Sequence, residues 1–220
     1  LPIQKYKAHN WHCFSDIENR APYAALYTAY GCPFKCTYCN IHELYSLEGK
    51  PGVRFRSPDH IMDEIDYLVK NYNVKNFKFA DELFTTKKSH IISVCEKIIE
   101  RKYDLNIWTF VRAVPYPIEV LKLMRKAGFT WVAMGIESFV DHVREGVDKN
   151  TAQAKLIETI KMYKEADINI IANFIFGLPD DTIETMNKTL EMAMEFNFEY
   201  VDFYTCMAYP GSQLYQESID

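Results

Sequence analysis

The sequence predicts an α/β fold built on a parallel sheet. Two observations carry that expectation. Six segments of strand character alternate with segments of helical period. One of the six, residues 168–176 (INIIANFIF), is a nearly unbroken apolar run, the pattern of a parallel strand covered on one or both faces. Periodicity alone leaves open whether such a sheet is flat or curled.

Taken in order, residues 1–22 are polar and aromatic, with Pro2 and Pro22, and read as a linker. The densest part, His9 to Phe14, packs its aromatics onto the domain surface; a metal-binding reading of its two histidines and Cys13 stays open. The domain proper is expected over 23–220. Residues 24–30 form a small, aromatic buried strand that Gly31 breaks. Gly49, Pro51 and Gly52 interrupt the chain before Ser57-Pro58, an N-cap with proline in the first turn, opens a helix carrying Ile61, Met62, Ile65 and Leu68. Residues 76–80 alternate as a strand, and 90–101 form a helix whose apolar stripe includes Cys95, a core residue. A strand at 105–111, a helix at 117–127 stopped by Gly128 and a strand at 129–134 follow. Helices are expected at 139–145, 150–166, 182–196 and 212–218, and the last strands at 168–176 and 200–205.

Composition narrows the class. The 220 residues suit one domain or a compact pair, and 48% hydrophobic with 15% aromatic residues suffices for a large core. A net charge of −5 with dispersed basic residues shows no nucleic-acid footprint. No apolar run approaches the ~18 residues of a membrane span. The start, Leu1-Pro2-Ile3-Gln4-Lys5, lacks a signal pattern, and clustered thiols without one point to the cytoplasm. The absence of an initiator Met reads as a piece of a longer protein.

Three of the six cysteines, Cys32, Cys36 and Cys39, fall within a single loop as C-x-x-x-C-x-x-C; Cys13, Cys95 and Cys206 are scattered. Three thiolates so spaced suit a four-iron–four-sulfur cluster with one iron left open. A zinc-stabilised binding module is the alternative, with His12, Cys13 or His42 closing the site. Three neighbouring cysteines cannot pair evenly, which disfavours disulfides.

This motif, with Tyr38 just before its last cysteine, resembles the signature of the radical S-adenosylmethionine (SAM) superfamily. The resemblance runs from about residue 24 to 215 and implies a partial (β/α)6 barrel of parallel strands. It implies a [4Fe-4S] cluster on Cys32, Cys36 and Cys39 whose open iron chelates SAM and whose electron cleaves it to a 5'-deoxyadenosyl radical. Tyr38 resembles the aromatic near the adenine. Asp81 and Glu82 stand where the family has its Gly-Gly-Glu, without the glycines, and either acid could meet the SAM amino group. Arg112 follows the third strand and would pair with the SAM carboxylate. Glu137 and Ser138 resemble the ribose motif, and Asn173 to Gly177 the adenine motif. Tyr204, Cys206 and Met207 follow the sixth strand on the substrate side.

The DELFT form of 81–85 and the ending from Tyr209 to Tyr215 are similar to the branch linked to cobalamin-binding domains. The D-x-H-x-x-G signature of such a domain is not found; Asp141-His142 to Gly146 has the wrong spacing. The resemblance therefore implies cobalamin in the parent protein, with 1–22 as the link to an N-terminal domain. It implies methylation of an unactivated carbon or phosphorus of a small molecule, with radical cyclisation or oxidoreduction and methylthiolation as alternatives. An external flavodoxin- or ferredoxin-type donor would supply the electron. No catalytic side chain is assigned.

Overall fold

Residues 2–46 and 50–219 are described by the computed structural model. Residues 1 and 220, at the outer ends of the two expected segments, and Gly49 lie outside the described residues. The chain runs through β1 (Tyr23–Leu26), β2 (Ala29–Tyr30), α1 (Ile41–Tyr45), β3 (Arg54–Phe55), α2 (Pro58–Tyr72) and β4 (Asn76–Phe79). It continues through α3 (Lys88–Arg101), β5 (Asn106–Arg112), α4 (Ile118–Lys126), β6 (Phe129–Glu137), α5 (Asp141–Glu145) and α6 (Gln153–Glu165). The last elements are β7 (Asn169–Phe176), α7 (Ile183–Phe196), β8 (Tyr200–Thr205) and α8 (Gln213–Ile219).

Six strands pair in parallel in the order β1-β4-β5-β6-β7-β8, so every long strand lies beside its successor. Right-handed crossovers in a strictly sequential sheet put all the helices on one face. The core shows this. Ile107, Val111, Val132, Met134, Ile170 and Ala172 pack with apolar positions of α2, α3, α4, α6 and α7 in one cluster. Alternate residues on the same strands, Trp108, Trp131, Ala133 and Ile171, form a second cluster on the opposite face. This is the winding of a parallel barrel left open between β8 and β1.

Local chemistry sets the helix ends. Ser57 Oγ accepts from the His60 amide at 3.3 Å with Pro58 in the first turn of α2. Thr182 and Thr185 exchange reciprocal capping bonds of 3.2 and 2.8 Å at the start of α7.

One expected strand divides. The pattern of 24–30 predicts one continuous strand, yet the sheet strand ends at Leu26, and Ala29–Tyr30 pairs antiparallel with Arg54–Phe55. Asp81 is the cause. Its Oδ1 accepts from the Thr28 amide at 2.6 Å and its Oδ2 from the Thr28 hydroxyl, which pulls the chain off the sheet after β1. A second difference is that β6 runs on to Glu137, three residues past its expected end at 134, with a register shift against β7 between Gly135 and Glu137.

Residues before β1 form three short 3-10 turns that close the N-terminal end of the inner face. Trp11 stacks on His9 at 5.3 Å and meets Trp108 and Trp131 edge-on at 5.2 and 5.3 Å. Beside it a cavity of about 920 Å³ is lined by His12, Cys13 and the starts of β4, β5 and β7. No helix among the described residues is long and apolar enough to cross a membrane.

His12 is 2% exposed and neither ring nitrogen makes a well-formed hydrogen bond among the described residues. Burial, with His9 nearby, pushes its imidazole down to about 4. The unfolded chain then binds the proton that the folded chain refuses between pH 6.5 and 4. Stability contributed by the neutral ring is complete above 6.5 and lost as pH falls through that window. We predict that the wild type loses on the order of 2–3 kcal/mol from this residue between pH 6.5 and 4. His12→Phe removes that part of the slope in denaturant unfolding; an unchanged pH dependence contradicts the assignment.

Candidate active site at the C-terminal ends of the strands

The second cavity, about 520 Å³, opens where β5, β6, β7 and β8 end. Function collects at that end of parallel sheets because the loops there are free of packing duty. The register stacks Arg112, Gly135, Asn173 and Asp202 on one level across four strands. The cysteine loop lies over this level.

Gly31 starts the loop at φ +94°, and a Cβ there would come 2.4 Å from Gly52 O, so only glycine fits. Its amide donates to Glu82 Oε2 at 2.8 Å. Further along, the Thr37 amide donates to Val147 O at 3.2 Å, and the Leu214 amide to Thr37 O at 3.0 Å. The loop is thus fastened to the segment after β4, to the turn after α5 and to α8.

Cys32, Cys36 and Cys39 are half-buried free thiols, and all three line the cavity. Burial pushes the Cys32 and Cys39 thiols up, so a bound cation is what would ionise them. Arg112 lines the same cavity and brings positive charge to it, while Lys149, also in its wall, is paired with Glu137. Half-buried thiols converging on one cavity beside the Arg112 guanidinium fit an iron–sulfur cluster. Among the described residues no three His, Cys, Asp or Glu side chains gather closely enough to share one metal ion, whereas cluster thiolates bind separate irons. Of the residues that could close a zinc site, His12 and Cys13 lie at the other end of the strands, while His42 stays by the loop with its Nε2 2.6 Å from Phe34 O.

Glu137 is 6% exposed and sits at φ +67°, a costly backbone for a non-glycine residue. Its carboxylate forms an ion pair with Lys149 Nζ, itself 6% exposed, and accepts from the Tyr38 hydroxyl at 3.0 Å. Burial first, and the Glu137 charge next, hold the Tyr38 phenol well above its ordinary range, so it stays a neutral donor. Gly135 makes room for the pair: a Cβ there would lie 2.8 Å from both Glu137 Oε1 and Lys149 Nζ.

The cavity brings together Cys32, Cys36, Cys39, Tyr38, Glu82, Arg112 and Glu137, along with Asn173, Tyr204, Cys206 and Met207. Three residues expected at the site do not line it. Asp81 is 1% exposed and spent on Thr28; burial raises its carboxyl to about 6, with the Thr28 bonds opposing. Ser138 is fully buried, shares a 3.1 Å bond with Thr189 Oγ1 and accepts from the Val140 amide. Gly177 is an exposed turn glycine whose amide donates to Asp181 at 3.0 Å; its added Cβ would only touch Cys206 at 4.0 Å. Lys149 was missed. In Asp148-Lys149-Asn150 it looks like any solvated turn, and no periodicity marks it.

Comparison with known proteins adds to this geometry. Residues 26–193 match the model of the Radical SAM superfamily. An uncharacterized methyltransferase of Pyrococcus horikoshii is 28% identical over 219 residues, covering 100% of this chain and 45% of that protein. The anaerobic magnesium-protoporphyrin IX monomethyl ester cyclase of Cereibacter sphaeroides is 33% identical, covering 87% of this chain and 31% of that protein. The chain therefore spans less than half the length of these relatives. Among solved structures, the radical S-adenosylmethionine methyltransferase TsrM of Kitasatospora setae, with cobalamin and a [4Fe-4S] cluster bound, superposes with a TM-score of 0.77. It is 18% identical over 89% of this chain and 36% of that one, a likeness of fold.

Lys149 and Glu137 form a buried ion pair, and breaking one side leaves an uncompensated charge. Lys149→Met is predicted to cost about 3 kcal/mol or more in denaturant unfolding. The double variant Lys149→Met/Glu137→Gln recovers most of that loss. Additive losses would mean the two side chains do not act as a pair.

Proposed function

The chain belongs to the radical SAM superfamily, and from that premise we propose that Cys32, Cys36 and Cys39 hold a [4Fe-4S] cluster beside a bound S-adenosylmethionine. The observation that carries the reading is the convergence of three half-buried thiols and a buried arginine on one 520 Å³ cavity at the carboxyl ends of parallel strands. When bound, the cluster supplies one electron to SAM and so breaks a carbon–sulfur bond.

The protein's part is to hold and orient. Glu82, half-buried and anchored to Gly31, presents the carboxylate for the SAM ammonium; Asp81 braces Thr28 behind it. Arg112 takes the SAM carboxylate, its buried Nε having no partner among the described residues. Glu137, fixed by Lys149 and Tyr38, takes the ribose hydroxyls, with Ser138 stiffening the turn that follows. The Tyr38 ring and the strand end at Asn173 and Ile175 flank the adenine, with Gly177 turning the chain away behind them. Tyr204, Cys206 and Met207 face the substrate.

The reaction of the parent protein is proposed as cobalamin-dependent methylation of an unactivated carbon or phosphorus of a small molecule. Support comes from the Pyrococcus methyltransferase matched along the whole of this chain and from the fold shared with TsrM. The cyclase at 33% identity supports radical ring formation as a second reading. A cobalamin domain and a substrate lobe would belong to the share of those relatives' length that this chain does not span. Residues 1–22 then join the first of these to the core. A flavodoxin- or ferredoxin-type protein supplies the electron, in the cytoplasm.

Anaerobic reconstitution of the chain tests the cluster. We predict about four irons and four sulfides per chain, lost in Cys32→Ala, Cys36→Ala and Cys39→Ala and kept in Cys13→Ala and Cys95→Ala. With a strong reductant the loaded protein converts SAM to 5'-deoxyadenosine. Stoichiometric zinc without iron would overturn the reading.

A further inference from the structure

Among the described residues Arg112 is the one cavity cation without an acidic partner. Lys149 is neutralised by Glu137, whereas Arg112 makes no ion pair among the described residues. The Arg112 side chain is 7% exposed and enclosed by the cysteine loop. Nη1 lies 3.5 Å from Cys36 Sγ, and the guanidinium carbon sits 4.1 Å over the Phe34 ring. Phe34 and Cys36 are two residues apart, so one planar group grips the loop through an aromatic face and a sulfur together.

We propose that Arg112 tunes the electron affinity of the cluster, by donating an N–H···S hydrogen bond to the Cys36 sulfur and placing an unpaired positive charge beside it. This rests on the cluster assignment made above. Reduction adds one negative charge to a cluster and its thiolates. A fixed cation and a donor on sulfur stabilise the more negative state, which raises the reduction potential. The stack on Phe34 fixes the orientation of the donor. Nη1 and Nε lie on different edges of the guanidinium, so the sulfur contact leaves Nε available to a ligand carboxylate.

The test is a redox titration followed by electron paramagnetic resonance on the reconstituted chain, without SAM. Wild type, Arg112→Gln, Arg112→Lys and Phe34→Leu are compared at equal iron content. Arg112→Gln is expected to shift the midpoint to a more negative potential. Arg112→Lys, which keeps charge but loses the planar fork, shifts it less. Phe34→Leu, at a surface position 36% exposed, shifts it in the same direction as Arg112→Gln by releasing the guanidinium. Should Arg112→Gln lose iron, Arg112→Lys and Phe34→Leu decide the matter on intact clusters. Unchanged midpoints in cluster-bearing variants overturn the tuning role and leave the cluster assignment standing. A wild-type chain that takes up no cluster overturns the assignment itself.

Discussion

Two adjacent carboxylates fix where the chain leaves the sheet, and the site depends on them. Asp81 holds the amide and hydroxyl of Thr28, and Glu82 holds the amide of Gly31. Between them the polypeptide turns from the first sheet strand into the cysteine loop. The Thr28 hydroxyl gives its proton to Asp81, so the His90 Nε2 that lies 3.2 Å from it must be the donor. Burial holds the His90 ring down to about 4, which keeps it neutral and able to play that part at physiological pH. Arg56 closes the other side, with its amide on Thr28 O at 2.9 Å and its guanidinium on Tyr27 O at 2.6 Å. The proposed role of this loop, to carry three metal ligands, needs such fastening, because ligand geometry is only as good as the backbone beneath it.

Charge is arranged with equal economy. Glu137 and Lys149 cancel each other inside the cavity, and the pair sits where only Gly135 leaves room. Arg112 makes no ion pair among the described residues and lies next to the Cys36 thiol. The cavity therefore carries one compensated pair on the fourth-strand side, and on the cysteine side a carboxylate, Glu82, and a guanidinium, Arg112, that stay apart as separate charges.

Much of this was legible in the sequence for physical reasons. Apolar runs such as 168–176 and the Ser57-Pro58 start predicted elements because burial and capping act locally. The cysteine spacing and Arg112 were visible because residue type and position after a strand restrict their chemistry. What escaped depends on contacts between distant residues. The break at Thr28 is caused by Asp81, 53 positions away, and leaves no mark on the small and aromatic pattern of 24–30. Asp81 and Glu82 are indistinguishable as text, yet only Glu82 lines the cavity. Lys149 meets Tyr38 across 111 positions of chain, and a lysine in a turn ordinarily faces water.

The central claim is that the three cysteines hold a cluster with one iron open to SAM. Electron paramagnetic resonance of the reduced, reconstituted chain, with and without SAM labelled with ¹⁵N at its amino group, tests it most directly. The account predicts a reduced-cluster signal that changes when SAM is added and acquires a hyperfine coupling to the labelled nitrogen. A cluster signal indifferent to SAM, with no coupling to the label, would contradict it.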